Sequence, residues 1–206
     1  MSLTPDDAGA FERCIARGGV AVFPADTVYG IACDPNSEAA VARIYELKGR
    51  PPEKPAAVMF FALEPALAAL PDLGPRTRAV LAELLPGGLT LLLPNPRGRF
   101  PLACGPDPST LGLRVPALPD AIAALGEVGV AVLQSSANLA GAPDARTLDA
   151  VPRAIRDGAD LVLDGGETGG VASTVLDLRG YEDRGAWNVL REGAVARAAL
   201  AGVLGS

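Results

Sequence analysis

The chain has only two lysines, Lys48 and Lys54, and both fall in one short segment, Lys48-Gly49-Arg50-Pro51-Pro52-Glu53-Lys54-Pro55; every other cationic side chain is Arg. An ammonium meets phosphate as a point charge and a guanidinium as a planar fork of donors. Lys-x-Arg-x-x-x-Lys in a loop shaped by Gly and Pro therefore offers both kinds of anion contact. The alternative is a solvated turn. With no His in the chain, Ser-His and Cys-His nucleophile pairs and every His-based metal site are excluded. Cys14, Cys33 and Cys104 are odd in number and lack C-x-x-C spacing, which argues against a disulfide framework or zinc site and for a reducing compartment.

Two further polar segments stand where apolar runs end, the place where open α/β sheets hold ligands. They are Pro24-Ala25-Asp26-Thr27-Val28-Tyr29-Gly30 and Ser135-Ser136-Ala137-Asn138. Neither a G-x-x-x-x-G-K-[ST] loop nor a G-x-G-x-x-G turn is present, so a nucleotide needs another cradle. Gly165-Gly166-Glu167-Thr168-Gly169-Gly170 has the wrong spacing for either and reads as a turn. Taken singly, Arg114 could pair with a carboxylate, Ser136 and Asn138 could cap a helix, and Thr90 and Ser173 could be satisfied strand hydroxyls.

The elements that must position these residues alternate. A helix over Pro5 to Arg17 precedes the strand Val20 to Phe23, and Asn36 or Ser37 caps a helix whose apolar face is Val41, Ile44 and Leu47, with Gly49 at its end. The run Ala57 to Phe61 reads as a strand, Pro75 to Leu85 as a helix and Leu89 to Leu93 as a strand. Pro94 to Pro108 is a long loop carrying Arg97 and Arg99, of the kind that is functional or mobile. A strand through Leu113 to Val115, a helix from Pro119 to Leu125, a strand Val130 to Leu133 and a helix near Thr147 to Arg156 follow. Strands at Leu161 to Leu163, Ser173 to Leu176 and Asn188 to Leu190 and a helix at Val195 to Leu204 complete an α/β chain with a mixed sheet.

At 206 residues and 49% hydrophobic, one domain over 1–206 is expected, burying roughly 70% of the surface of its unfolded form. The net charge of -6 argues against a general nucleic-acid binder, which needs a basic face. The N-terminus lacks a signal-like pattern and no run of about 18 apolar residues exists, so a cytoplasmic protein without membrane contact is expected.

Taken together, Pro24-x-Asp26-Thr27-Val28-Tyr29-Gly30, Lys48-Gly49-Arg50-Pro51, Pro86-Gly87-x-Leu89-Thr90, Arg114-Val115-Pro116, Ser136-Ala137-Asn138, Ser173-Thr174-Val175 and Leu190-Arg191-x-Gly193 stand in an order that resembles the YrdC/Sua5 family. The likeness runs from about Gly18 to Ala194. It implies a YrdC/RibB-like fold, a twisted open mixed β-sheet with flanking helices around a basic cavity. The activity it implies is synthesis of threonylcarbamoyl-AMP and pyrophosphate from ATP, L-threonine and bicarbonate. Mg²⁺ would enter with ATP, and the chain itself would supply no dedicated metal site. A downstream tRNA threonylcarbamoyl transferase complex would receive the product, and a weak RNA contact is conceivable.

Carried over by position, Lys48 and Arg50 would be catalytic. Lys48, Arg50, Lys54, Thr90, Ser136, Asn138 and Arg191 would bind ATP, and Thr27, Tyr29, Arg114 and Ser173 would bind threonine. Attack of a carbamate on the α-phosphate brings anions together, so positioning and charge neutralisation suit such residues without a His base. Two positions depart from the family: Ala25, where many relatives have Thr, and Met59, where some have His, both expected near the amino acid. Competing readings are a carbamoyl-adenylate-forming enzyme and a non-catalytic double-stranded RNA-binding module.

Overall fold

The computed structural model describes residues 2–205. Thr4 opens α1 (Pro5–Ala16) with a reciprocal cap, its Oγ1 accepting from Asp7 N and its own N donating to Asp7 Oδ2, and Pro5 occupies the first turn. β1 (Ala21–Pro24) and β2 (Tyr29–Cys33) form an antiparallel pair. Every residue of β2 is buried, so it lacks the alternation that marks a half-exposed strand. The sequence analysis placed Tyr29 and Gly30 in a polar segment and assigned no strand over 29–33.

Ser37 Oγ accepts from Ala40 N to start α2 (Glu38–Lys48), and Gly49 ends it in the left-handed region at φ 55°, a conformation costly for other residues. β3 (Ala57–Met59), α3 (Leu63–Ala69), α4 (Pro75–Leu84), β4 (Leu89–Pro94), α5 (Pro101–Cys104), β5 (Thr110–Arg114) and β6 (Val132–Ser136) follow. The chain closes with α6 (Arg153–Gly158), β7 (Leu161–Val162), β8 (Thr174–Asp177), α7 (Tyr181–Arg184), β9 (Asn188–Arg191) and α8 (Arg197–Leu204).

Three expectations change. Asp120–Glu127 is a 3-10 helix, a form used for short connectors. The helix expected over Thr147 to Arg156 is divided by Pro152, which cannot donate to a preceding turn, into a 3-10 turn at Leu148–Ala150 and α6. The long loop after β4 is tied down: Asn95 is buried, its Nδ2 donates to the carbonyls of Arg99 and Pro108, and its Oδ1 accepts from Arg99 N.

The nine strands make one sheet in the order β7-β1-β2-β6-β3-β5-β4-β8-β9, with parallel pairs β1/β7, β3/β5 and β4/β8 and the rest antiparallel. Because side chains alternate along strands, the sheet has two unlike faces. On one, Ile31, Val58, Leu91, Leu93, Leu111, Leu113, Leu133 and Leu176 join residues of α2, α4, α6 and α8 in the main core. On the other, a smaller apolar cluster built on Phe11, Phe23 and Phe61, with ring centroids 5.1 to 6.2 Å apart, covers β1, β2 and the Met59 and Val132 ends of β3 and β6. The remainder of that face is the floor of a cavity.

Candidate active site

Along β5 the residues that alternate with Leu111 and Leu113 are Thr110, Gly112 and Arg114, and along β4 those that alternate with Leu89, Leu91 and Leu93 include Thr90 and Leu92. They line a cavity of about 470 Å³ together with Gln134, Ser136, Val175, Ser173 and Arg191. Arg50 reaches its edge from the turn after α2. The volume lies within the range usual for small-molecule sites.

Arg114 is 4% exposed, and three acceptors grip its fork. Nη2 donates to Asp26 Oδ1 at 2.7 Å and Thr27 Oγ1 at 3.1 Å, and Nη1 to Gln134 Oε1 at 3.4 Å. Asp26 Oδ2 also accepts from Ala117 N. Burial pushes the Asp26 carboxyl above its ordinary range, with Arg114 opposing the shift. The Asp26-Thr27 turn thus serves as a bracket for Arg114. Arg191 Nη2 donates to the carbonyl and Oγ of Ser173, and Ser173 Oγ lies 2.8 Å from Thr90 Oγ1, which strings β9, β8 and β4 into one polar rail.

Lys48 is placed differently from a phosphate ligand. It is 2% exposed, and its Nζ donates to Ser136 O, Asn138 O at 2.7 Å and Asn138 Oδ1 at 3.2 Å. An ammonium has three protons, so the Ser136-Ala137-Asn138 turn uses them all. Burial, then the neighbouring Arg50 charge, lowers its pKa from 10.5 to about 8, with Asp144 opposing. Asn138 Oδ1 also accepts from Ser136 Oγ at 2.6 Å, and Asn138 Nδ2 donates to Ala142 O.

Of the residues expected at the site, Arg50, Thr90, Arg114, Ser136, Ser173 and Arg191 line the cavity. Lys48, Asn138 and Thr27 stand directly behind it as supports. Lys54 does not join them: its side chain is exposed, and its carbonyl accepts from Tyr45 OH at 2.6 Å. Nor does Tyr29, which points into the main core and shares its one hydroxyl proton between Asp164 Oδ1 and Gly166 O, anchoring the glycine-rich turn. Ala25 and Met59 lie in the smaller apolar cluster rather than on the cavity wall. The sequence reading missed Gln134, Asp107 and Asp144, all of which line the cavity. Gln134 alone carried a signal, as a polar residue ending the apolar run before Ser135. Asp26 pairs with Arg114, whereas Arg50 and Arg191 form no salt bridge among the described residues; Asp107 and Asp144 are the carboxylates of the wall. No group of three or more His, Cys, Asp or Glu side chains among the described residues could hold a metal ion, and no described helix is long and apolar enough to cross a membrane.

Comparison with known proteins gives a consistent picture. Residues 13–193 match the family model Sua5/YciO/YrdC, whose description reads Telomere recombination. The chain is 38% identical over 177 residues to a protein of Xanthomonas campestris pv. campestris named threonylcarbamoyl-AMP synthase, covering 84% of this chain and 91% of that one. The fold is similar to that of P. abyssi Sua5 complexed with L-threonine, with a TM-score of 0.86 and 28% identity over 100% of this chain and 59% of that one. It is similar also to E. coli YciO, with a TM-score of 0.75 and 25% identity over 95% and 98% of the two chains. The cavity with its Lys48-x-Arg50 and Ser136-x-Asn138 supports and the match over nearly the whole chain agree: the protein belongs to the Sua5/YciO/YrdC family.

Proposed function

We propose that the protein is a threonylcarbamoyl-AMP synthase, a nucleotidyltransferase that joins L-threonine, bicarbonate and ATP. The reading rests on the cavity in which Arg50, Arg114 and Arg191 converge with the hydroxyls of Thr90, Ser136 and Ser173, in a chain whose relatives carry that name. The threonine amine adds to the carbon of bicarbonate with loss of water. A carbamate oxygen then displaces pyrophosphate from the α-phosphorus of ATP. Both steps crowd anions together, so the protein's part is to neutralise and align them.

Arg50 and Arg191, which form no salt bridge among the described residues, suit the phosphates. Arg114, held in register by Asp26 and Thr27, suits the amino-acid carboxylate, with Ser173 beside it. Lys48 positions Ser136 and Asn138 rather than touching phosphate. Mg²⁺ would arrive bound to the nucleotide, because phosphate oxygens and water satisfy most of its coordination and, among the described residues, the carboxylates lining the cavity are the scattered Asp107 and Asp144. The product would pass to the cytoplasmic enzyme that modifies tRNA. Pyrophosphate release measured with threonine and bicarbonate omitted in turn tests the reading: release is expected only with both, and equal release without threonine refutes it.

A further inference from the structure

Gln134 sits on β6 in the middle of the cavity floor, opposite Ala32 of β2 and Ala57 of β3, and is 4% exposed. Its orientation is dictated by its neighbour. Arg114 offers only donors, so the carboxamide atom facing Arg114 Nη1 must be the oxygen. Nε2 then lies over Gly30, where a Cβ would stand 2.9 Å from it, so glycine is what lets the side chain lie flat. Gly30 pairs with Ser136 across the strands. The amide nitrogen is thus aimed from the Arg114 side of the cavity toward the Ser136 side.

Nε2 donates to no protein acceptor among the described residues, yet it is not sealed off from the cavity. Its strand neighbours Ala32 and Ala57, and Gly30 beneath it, have no side-chain acceptor to offer. With its oxygen engaged and its N–H bonds open to the cavity, the amide is left to a ligand or water to complete. Only an acceptor can. Within the reading of the cavity as the threonylcarbamoyl-AMP site, on which this inference rests, the acceptors between Arg114 and Ser136 are the trigonal oxyanions of the amino-acid substrate.

We propose that Gln134 is a specificity-determining residue whose Nε2 donates to a carboxyl-type oxygen of the bound amino acid, either its α-carboxylate or the carbamate formed on its nitrogen. Being neutral, Gln134 adds direction rather than charge. It favours a planar anion lying on the cavity floor between Arg114 and Ser136 over a ligand that presents a donor there.

The test uses Gln134→Met, which keeps reach and removes both polar atoms, and Gln134→Glu, which keeps shape and turns the free donor into an acceptor. Threonine is titrated calorimetrically in bicarbonate-free buffer to read the carboxylate, and the bicarbonate dependence of pyrophosphate release at saturating threonine reads the carbamate. A loss of about three- to tenfold in one of these for Gln134→Met, the scale of one net hydrogen bond, is expected. It should be larger for Gln134→Glu, with ATP affinity unchanged. If Gln134→Met does not fold, Gln134→Asn, which shortens the reach by one methylene, takes its place. No change in either measurement, or an equal loss of ATP affinity, overturns the proposal. Arg114→Met titrated in parallel separates the two claims. If it binds threonine normally, the assignment of the cavity falls and this inference with it; if it loses threonine while the Gln134 variants do not, only the role of Gln134 falls.

Discussion

Lys48 and Asn138 meet twice, the ammonium donating to the Asn138 carbonyl at 2.7 Å and to its Oδ1 at 3.2 Å. The contact joins the end of α2 to the turn after β6, and it is reinforced by Ala140 N donating to Lys48 O at 2.9 Å. The Lys-x-Arg and Ser-x-Asn segments are therefore one mechanical unit: the lysine shapes the turn that presents Ser136, and Gly49 swings Arg50 to the cavity edge.

Replacing Lys48 by Met should leave the Ser136 and Asn138 carbonyls without their side-chain donor, at about 1–3 kcal/mol each before relaxation. Turnover should fall with stability, whereas an Arg50→Ala protein should lose turnover alone. In the native protein the ammonium deprotonates near pH 8 rather than 10.5. Turnover should decline above about pH 8 as the turn loses a donor. Between pH 8 and 10.5 the unfolded chain binds the extra proton, so this group's contribution to folding stability rises with pH while activity falls. Parallel pH profiles of turnover and of urea midpoint check the opposed signs; a common direction would contradict the placement of Lys48.

Among the described residues the Arg50 side chain makes a single hydrogen bond, to Pro55 O at 2.8 Å, and lies 5.9 Å from the centre of the Tyr45 ring. Arg50→Ala should lower turnover by roughly two to three orders of magnitude, the scale of one pre-organised donor at developing charge. Its melting temperature should stay close to the parent's. A mutant that is active, or one that is unfolded, would make the loop a structural feature.

Asp26 and Arg114 form a pair with side chains only 6% and 5% exposed. Removing one partner strands the other, so Asp26→Ala should destabilise by about 3–5 kcal/mol. Where the protein remains folded, the threonine KM should rise while the ATP KM holds. Denaturant titration and steady-state kinetics on the same sample would show it.

Ala25→Thr tests the departure from the family. At 3% exposure within the smaller apolar cluster, an added hydroxyl enters a site without cavity contact. The expected result is a lowered melting temperature, on the order of 1–3 kcal/mol for a buried unpaired hydroxyl, with threonine affinity unchanged. Tighter threonine binding would place residue 25 at the substrate after all.

Local signals were legible in the sequence because their causes are local. Ser37 starts α2, Gly49 ends it, and apolar runs mark most strands; the Lys48 loop stood out by residue type alone. Tertiary structure decided which side chains share the cavity. Strand parity is the clearest case: once β2 begins at Tyr29, that ring must face the main core and Gly30 the other side, where Gln134 lies across it. A shift of one residue reverses both, and pairing with β1 and β6 sets the register. The partners of Lys48 lie about ninety residues away, at Ser136 and Asn138, and no pattern within a helix announces acceptors that only the neighbouring strands bring near. Lys54 shows the converse, a charge of the right type on the right loop that the turn directs into solvent.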